Sequence, residues 1–365
     1  MSSTVSQRAP HVGILPAGPL DTIADVQGVT VGHCTLDQGA VQTGVTVIRP
    51  HGGDPFLDKV PAAASVINGF GKSIGLVQVA ELGTLETPIA LTNTFGVAAL
   101  AQAQIRAAVR ANPRIGREWS TVNPLVFECN DGYLNDIQAL AIDERHFDDA
   151  YAAANADVVS GSVGAGRGMS CFDLKGGIGN ASRVVSVMGQ GYTVGVLVLA
   201  NFGRLPMLTA DGMPLGRVLA ERAAHAISST NSPTIPPTKP EQGSIIMIAA
   251  TDAPLDARQL RRLSLRAAAG LARTGSVYGH GSGDIALSFS TAYTVPHEAD
   301  FITLPPLLAD RCLDPLFAAC ADSVEQAILD VLWSAVSVTG RDGHRRLSLR
   351  DSVPDLAQLL ESTRS

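Results

Sequence analysis

Gly243-Ser-Ile-Ile-Met-Ile-Ala-Ala250 is the stretch from which the fold is most directly inferred. Six consecutive apolar residues follow Ser244 without the alternation of a half-exposed strand, so the stretch predicts a strand buried on both faces. The preceding segment, residues 228–243, contains four prolines and predicts an exposed, mobile loop. A serine therefore lies where a solvent loop enters the core. On composition alone, the same segment is also typical of a linker between two domains.

The overall composition is typical of a compact, enzyme-like chain. Its 365 residues are 45% hydrophobic and carry a formal net charge of −7. There is no basic surplus to bind nucleic acid and no apolar run near the roughly 18 residues of a membrane span, so neither partner is expected. The N-terminus lacks the apolar core of a signal peptide, and the five cysteines are odd in number and widely spaced. We therefore expect free thiols and a cytoplasmic location.

Short β-branched runs alternate with alanine-rich stretches of helical period, which predicts layers of sheet and helix. The clearest predicted strands are Val29 to Val31, Val45 to Ile48, Val194 to Leu199 and Ile245 to Ile248. The clearest predicted helices are Val97 to Arg110, Gly216 to Ile227, Asp256 to Arg273 and Ser323 to Val338. Asp256 followed by Gln259 resembles the capping box at the start of a helix.

Two glycine-rich segments fail the tests for nucleotide binding. Residues 69–73 end like a phosphate loop, but Val66 occupies the position that requires glycine. Residues 161–168 approximate a dinucleotide fingerprint, yet Met169 stands where the third glycine belongs. The eight histidines include no pair with the spacing of metal ligands. We therefore expect no cofactor and no metal.

A glycine-dense turn at residues 276–283 leads into an alternating strand that ends near Thr291. Ser282 and Asp284 are two residues apart, so in an extended chain they face the same side and converge on one neighbour. A local serine-aspartate turn accounts for the pattern equally well. His280 is a candidate base for an ordinary serine triad, but the chain has no Gly-x-Ser-x-Gly elbow to supply the nucleophile.

Five blocks in order resemble the family of L-aminopeptidase D-Ala-esterase/amidases (DmpA) and β-aminopeptidases (BapA), and the similarity runs from Ile23 to Ser290. The blocks are Gly243 to Leu255, Tyr278 to Asp284, Glu128-Cys-Asn-Asp-Gly-Tyr-Leu-Asn-Asp136, Gly161-Ser-Val-Gly-Ala-Gly166 and Lys175-Gly-Gly-Ile-Gly179. The resemblance implies an αββα sandwich, two sheets between helical layers, and homotetramers. It also implies a precursor that cleaves itself before a serine, which becomes an N-terminal nucleophile. Residues 1–365 would then form one self-processing domain, cut between Gly243 and Ser244 into chains 1–243 and 244–365.

The resemblance also implies roles for individual residues. Ser244 is the nucleophile, and its freed α-amine, with a reference pKa of about 7.7 to 8.0, is the base. Ser282 would bind the amine or hydroxyl, and Asp284 would stabilise the protonated amine. Asn201 matches the family's Asn-x-Gly and would donate to the oxyanion, although an asparagine turn at the end of a strand also accounts for its position. Substrate-binding candidates are Tyr133, near the reacting carbonyl, and Glu128, for the substrate ammonium; both are also consistent with merely shaping a turn.

The expected function is release of an N-terminal β-amino acid, small L-residue or D-alanine from short peptides, amides or esters through an acyl-enzyme. Two alternatives remain open from the sequence. One is acyl transfer as in the ornithine acetyltransferases of similar architecture, although those use a threonine nucleophile and this chain has Ser244. The other is an uncleaved, homo-oligomeric binding protein in which residues 228–243 are only a linker.

Overall fold

The computed structural model describes residues 8–228 and 242–363. In chain order its strands are β1 (Thr30–Gln38), β2 (Val41–Arg49), β3 (Asp58–Gly69), β4 (Thr84–Leu85), β5 (Ile89–Asn93), β6 (Leu125–Cys129), β7 (Ser170–Cys171), β8 (Leu174–Lys175), β9 (Gly177–Val187), β10 (Gln190–Asn201), β11 (Gln242–Thr251), β12 (Gly281–Ser290), β13 (Val295–Pro296), β14 (Val338–Thr339) and β15 (Arg345–Arg346). The helices are α1 (Leu76–Leu82), α2 (Val97–Ala111), α3 (Glu144–Ala152), α4 (Leu215–Ser228), α5 (Ala257–Arg273), α6 (Asp314–Ser334), α7 (Leu349–Ser352) and α8 (Leu356–Thr363).

Two sheets form the centre of the molecule. The larger has the strand order β13-β3-β12-β11-β10-β9, with β4 also paired to β3, and the smaller has the order β1-β2-β5-β6. β11 is antiparallel to β10 and parallel to β12. Every residue of β11 from Ser244 to Thr251 is buried, which confirms the prediction of a strand covered on both faces.

Helices cover the outer face of each sheet. Side chains such as Phe127 of the smaller sheet and Ile246 of the larger one pack together between the sheets. α2 and α3 pack on the smaller sheet, for example through Leu100 and Phe147. α5 and α6 pack on the larger sheet, where Met247 belongs to the same buried cluster as their side chains. The layers follow the order helix, sheet, sheet, helix, so the prediction of an αββα sandwich is confirmed.

One predicted helix has the wrong bounds. The sequence predicts a helix from Ser323 to Val338, whereas α6 runs from Asp314 to Ser334 and Val338 lies in β14. α6 is buried around most of its circumference, so its sequence lacks the polar stripe that marks the first turns of a surface helix. By contrast, the capping box at Asp256 is present: its carboxylate accepts from the Gln259 N–H, and the Gln259 side chain accepts from the Asp256 N–H.

The two parts of the chain on either side of the proline-rich segment share one sheet. β10 precedes the segment, β12 follows it, and both pair with β11. α4 ends at Ser228 and β11 begins at Gln242, so the predicted mobile loop at 228–243 falls mainly on residues 229–241, outside the described residues. Within the described ranges, no helix combines the length and apolar composition needed to cross a bilayer.

The packing of α6 on the larger sheet depends on a glycine in β9. A Cβ atom at Gly179 would lie 2.0 Å from the carbonyl oxygen of Ala327 and 2.6 Å from a methyl carbon of Val331. We expect Gly179→Ala to destabilise the protein by about 1 to 3 kcal/mol, because a backbone carbonyl has little room to move. Gly191→Ala is the matched control in the adjacent strand, since a Cβ atom there would have no neighbour within 4 Å. Thermal unfolding measures both variants, and equal midpoints would contradict this account of the packing.

Candidate active site

The junction between Gly243 and Ser244 lies at the start of the central strand β11. Gly243 has a φ of +133°, which residues with side chains rarely adopt. A Cβ atom at this position would lie 2.0 Å from the carbonyl oxygen of Asn201 on β10. Backbone conformation and close approach therefore both require glycine before Ser244.

Ser244 lies between two other strands. It pairs with Asn201 of β10 on one side and with Gly283 of β12 on the other. Its hydroxyl oxygen accepts a hydrogen bond from the Gly283 N–H at 3.1 Å, and the residue is 5% exposed. The serine hydroxyl is thus held at a fixed position at the end of a buried strand. Sequence reasoning missed Gly283, although it lies between the two residues singled out there.

Ser282 and Asp284 form a buried pair on β12. The Ser282 hydroxyl donates to Asp284 Oδ1 at 2.5 Å, so the two side chains do face the same side, as their spacing predicts. Strand alternation places this pair on the face of Ala286, toward the helices, whereas Ser244 shares the face of Ile246, between the sheets. The pair therefore lies beside the backbone of the Gly243–Ser244 junction, since Ser282 pairs with Gly243, rather than beside the Ser244 hydroxyl.

Asn201 is held in place by two hydrogen bonds. Its Oδ1 accepts from the Ser170 N–H at 2.9 Å, and its Nδ2 donates to the Asn130 carbonyl at 2.9 Å. A side-chain amide nitrogen has two hydrogens, and the bond to Asn130 uses one of them. The amide is thus oriented at the position across the strand pair from Ser244. Ser170 carries no local sequence signal for this contact.

The turn that contains Ser170 is stabilised by Lys175. The fully buried Lys175 ammonium donates to the carbonyls of Gly166, Met169 and Gly176 at 2.8 to 3.0 Å. Burial lowers the pKa of Lys175 well below its usual value, and the three carbonyls satisfy its hydrogens. Burial also raises the pKa of nearby Asp131 to about 7.

Glu128, at the end of β6, is 2% exposed. Its Oε1 accepts from the Lys72 N–H at 2.8 Å, and its Oε2 accepts from the Thr94 hydroxyl. Among the described residues, no side-chain nitrogen of Lys, Arg or His lies within 4.0 Å of this carboxylate. A Cβ atom at Gly71 would lie 3.6 Å from Glu128 Oε1 and 3.7 Å from Gly283 Cα, so Glu128 lies on the β12 side of Ser244.

Tyr133 lies on the other side of the site and is 40% exposed. Its ring stacks on His344, with centroids 4.7 Å apart, and the Arg346 guanidinium lies 3.9 Å from the ring centroid. Arg346 Nε also donates to the Ser170 hydroxyl at 3.2 Å. Tyr133 is thus linked through Arg346 and Ser170 to Asn201.

His280 is exposed and lies on the turn before β12, where its ring is 6.1 Å from that of Phe70. The structure shows no hydrogen bond from its side chain to Ser244 among the described residues. Within the same part of the chain, no group of three or more His, Cys, Asp or Glu residues is arranged to hold a metal ion.

The chain is similar to known proteins in both sequence and fold. The model of peptidase family S58 matches residues 21–346. The β-peptidyl aminopeptidase BapA of Sphingosinicella microcystinivorans is 37% identical over 364 residues, covering 94% of this chain and 89% of BapA.

Two solved structures are similar over nearly the whole chain. One is a protein of Pyrococcus horikoshii, 44% identical with a TM-score of 0.87, covering 96% of this chain and 97% of that one. The other is the L-aminopeptidase D-Ala-esterase/amidase of Ochrobactrum anthropi, described as a prototype for the serine aminopeptidases and a variant of the Ntn-hydrolase fold. It is 32% identical with a TM-score of 0.83, covering 97% of this chain and 98% of that one.

These similarities confirm the resemblance identified from the sequence. They extend over the strands that carry Ser244, Asn201 and the Ser282–Asp284 pair. They also confirm an aminopeptidase of the N-terminal-nucleophile class rather than a binding protein. The chain belongs to peptidase family S58.

Proposed function

We propose that the chain cleaves itself between Gly243 and Ser244, and that Ser244 then acts as the N-terminal nucleophile of an aminopeptidase for short peptides. The observation that carries the proposal is the junction itself. A buried serine hydroxyl, fixed by the Gly283 N–H, follows a glycine whose backbone no other residue readily adopts. Attack of the hydroxyl on the Gly243 carbonyl moves the acyl group from nitrogen to oxygen, and the nitrogen takes up the hydroxyl proton. Water then hydrolyses the ester, which leaves a Gly243 carboxylate and a free Ser244 α-amine.

In the processed enzyme, the α-amine is the general base. An α-amine has a reference pKa of about 7.7 to 8.0, so a substantial neutral fraction is present near pH 7. The amine removes the proton from the Ser244 hydroxyl as the hydroxyl attacks the substrate carbonyl. The Ser282–Asp284 pair is the group that orients the amine and stabilises its protonated form. The register supports this role, because Ser282 pairs with Gly243, directly before the new terminus.

Asn201 is the oxyanion donor. Its amide is fixed by Ser170 and Asn130 and lies at the position paired with Ser244. Such a preorganised donor is effective because it needs no reorientation when negative charge develops on the substrate oxygen. The resulting acyl-enzyme is hydrolysed by water, which the same amine activates.

Glu128 is the site for the substrate's free ammonium group. Glu128 is 2% exposed and, among the described residues, has no cationic side-chain nitrogen within 4.0 Å; such a carboxylate is costly to bury, and a bound ammonium group offsets that cost. Tyr133 contributes a partly exposed ring on the opposite side of the nucleophile. This arrangement favours an exopeptidase that recognises the amino end of its substrate.

The substrate class follows from the relatives and from one cleft. We propose an N-terminal β-amino acid, small L-residue or D-alanine, because BapA is a β-peptidyl aminopeptidase and the Ochrobactrum enzyme an L-aminopeptidase and D-Ala-esterase/amidase. An open cleft of about 820 Å³ is lined in part by Lys72 and Thr94, the two residues that donate hydrogen bonds to Glu128. This cleft provides space for the side chain of the substrate's N-terminal residue. We further propose a cytoplasmic homotetramer, in line with the family resemblance.

Self-processing is tested by intact-mass measurement of the purified chain. Wild type should give two chains of about 25 and 13 kDa, in proportion to 243 and 122 of the 365 residues. Ser244→Ala should remain a single chain of 37.9 kDa, because alanine lacks the attacking oxygen. Ser288→Ala, which changes a buried serine of the adjacent strand β12, should process normally. Two chains from the Ser244→Ala variant would show that the cleavage does not need this hydroxyl.

The role of the Ser282–Asp284 pair is tested with the same control. Ser282→Ala removes the donor to Asp284 Oδ1, so we expect a fall in kcat of about 10-fold or more with a smaller change in KM. Ser288→Ala should retain kcat within about 2-fold, since the Ser288 hydroxyl has no hydrogen-bond partner among the described residues. Steady-state kinetics on processed enzyme decide the question. An unchanged kcat for Ser282→Ala would remove the pair from the mechanism.

Recognition of the free amine is tested with β-alanyl, L-alanyl and D-alanyl p-nitroanilides, each with and without N-acetylation. Acetylation removes the positive charge that would pair with Glu128, so kcat/KM should fall about 100-fold or more. Glu128→Gln should reduce the turnover of substrates with a free amine, so the ratio of kcat/KM between free and acetylated substrates should become smaller. Equal turnover of free and acetylated substrates would exclude the exopeptidase, and the order of rates among the free amines identifies the preferred residue.

A further inference from the structure

Arg346, in β15, lies beside the candidate active site. Its guanidinium rests on the Tyr133 ring, 3.9 Å from the centroid, and its Nε donates to the neutral Ser170 hydroxyl at 3.2 Å. Among the described residues, no Asp or Glu oxygen lies within 4.0 Å of its nitrogens. Arg341, on the preceding turn, does have such a partner, because its Nη1 lies 2.7 Å from Asp342. Arg346 is half-buried, so its guanidinium is available to pair with an anionic ligand.

The position of Arg346 relative to Asn201 is fixed by two short contacts. The Ser170 N–H donates to Asn201 Oδ1 at 2.9 Å, and the hydroxyl of the same serine accepts from Arg346 Nε at 3.2 Å. A single residue, Ser170, thus separates the guanidinium from the amide that we propose binds the oxyanion. An extended peptide advances about 3.3 to 3.6 Å per residue. The contacts of 2.9 and 3.2 Å and the serine that joins them place the guanidinium within a few such residue lengths of the amide, on the leaving-group side of the scissile carbonyl.

Opposite charges lie on the two sides of the nucleophile. Glu128 is on the β12 side, across Gly71 from Gly283, and Arg346 is on the β10 side, beyond Asn201. A substrate with its ammonium at Glu128 and its scissile carbonyl at Ser244 directs its leaving residue toward Arg346. In a dipeptide, that residue carries the free α-carboxylate. A planar guanidinium can donate two parallel hydrogen bonds to the two oxygens of a carboxylate, which is the bidentate arrangement common in proteins.

We propose that Arg346 binds the free α-carboxylate of the leaving residue, so that the enzyme prefers dipeptides with a free C-terminus. This inference rests on the proposed aminopeptidase function and specifies its leaving-group side. Arg346 acts in binding and takes no part in proton transfer. Tyr133 holds the guanidinium in place, and Ser170 fixes its distance from the reacting carbonyl.

The test compares β-alanyl-alanine and L-alanyl-alanine with the same dipeptides carrying a C-terminal amide. Wild type should favour the free acids in kcat/KM, although an amide makes the departing amine less basic and easier to expel. Arg346→Met should lower the acid-to-amide ratio about 10-fold to 100-fold, as expected for loss of a charge-assisted contact. Arg346→Lys keeps the charge but not the planar geometry and should give an intermediate ratio. Arg345→Met, at the exposed neighbouring position, is the matched control and should leave the ratio unchanged.

The outcomes separate this inference from the proposed function. Alanyl p-nitroanilides have no carboxylate, so they report aminopeptidase activity by itself. If wild type hydrolyses the p-nitroanilides but does not prefer dipeptides with a free C-terminal carboxylate, the proposed role of Arg346 is overturned and the aminopeptidase function stands. An unchanged ratio in Arg346→Met with a lowered thermal midpoint would also overturn it, since Arg346 would then only support Tyr133. If wild type hydrolyses none of these compounds, the proposed function fails and the inference fails with it.

Discussion

The pairing of β11 with strands on both sides is the constraint on which the site depends. Because Ser244 is hydrogen-bonded into the centre of a sheet, its register fixes Asn201 on one side and Gly283 on the other. The approach of β10 is so close at the preceding residue that a Cβ atom would lie 2.0 Å from a backbone oxygen, which leaves only glycine. The same hydrogen bonds that stabilise the sheet therefore position the proposed nucleophile, the proposed oxyanion donor and the proposed cleavage junction. Rigid strands hold such groups more accurately than loops do.

Buried charge is the second feature that distinguishes this site from an ordinary sheet end. A charged group taken out of water is destabilising unless hydrogen bonds or an opposite charge replace the lost solvation. Lys175 meets that requirement with three backbone carbonyls, and Asp284 receives a hydrogen bond from Ser282. Glu128 receives hydrogen bonds from a backbone N–H and a hydroxyl, but among the described residues no cationic side-chain nitrogen lies within 4.0 Å of it. Burying such a carboxylate without a cation reduces the stability of the fold. This cost supports the proposal that a bound ligand supplies the counter-charge for Glu128.

The layers of the fold could be predicted from the sequence, and so could the common face of Ser282 and Asp284, but the orientation of that pair relative to Ser244 could not. The apolar run after Ser244 predicted a central buried strand, and the two-residue spacing of Ser282 and Asp284 predicted side chains on a common face. Which face they share relative to Ser244 depends on the register between β11 and β12, and no local pattern encodes that register. The bounds of α6 were wrong because a helix buried on most sides lacks the polar stripe that marks surface helices. Contacts such as Arg346 with Ser170 join residues 176 positions apart, so they have no sequence signature.

The order of charges around Ser244 bears on substrate length as well as on substrate ends. A longer peptide would place a neutral amide, rather than a carboxylate, against the Arg346 guanidinium, and would lose the charge-assisted contact while still displacing water from the cation. It would also have to continue past the hairpin formed by β14 and β15, to which Arg346 belongs. At the other end, a blocked amine would leave Glu128 buried without a counter-charge. With the proposed roles of Glu128 and Arg346, discrimination against long or capped substrates would need no separate gate, because each unsuitable end leaves one charge of the enzyme unsatisfied.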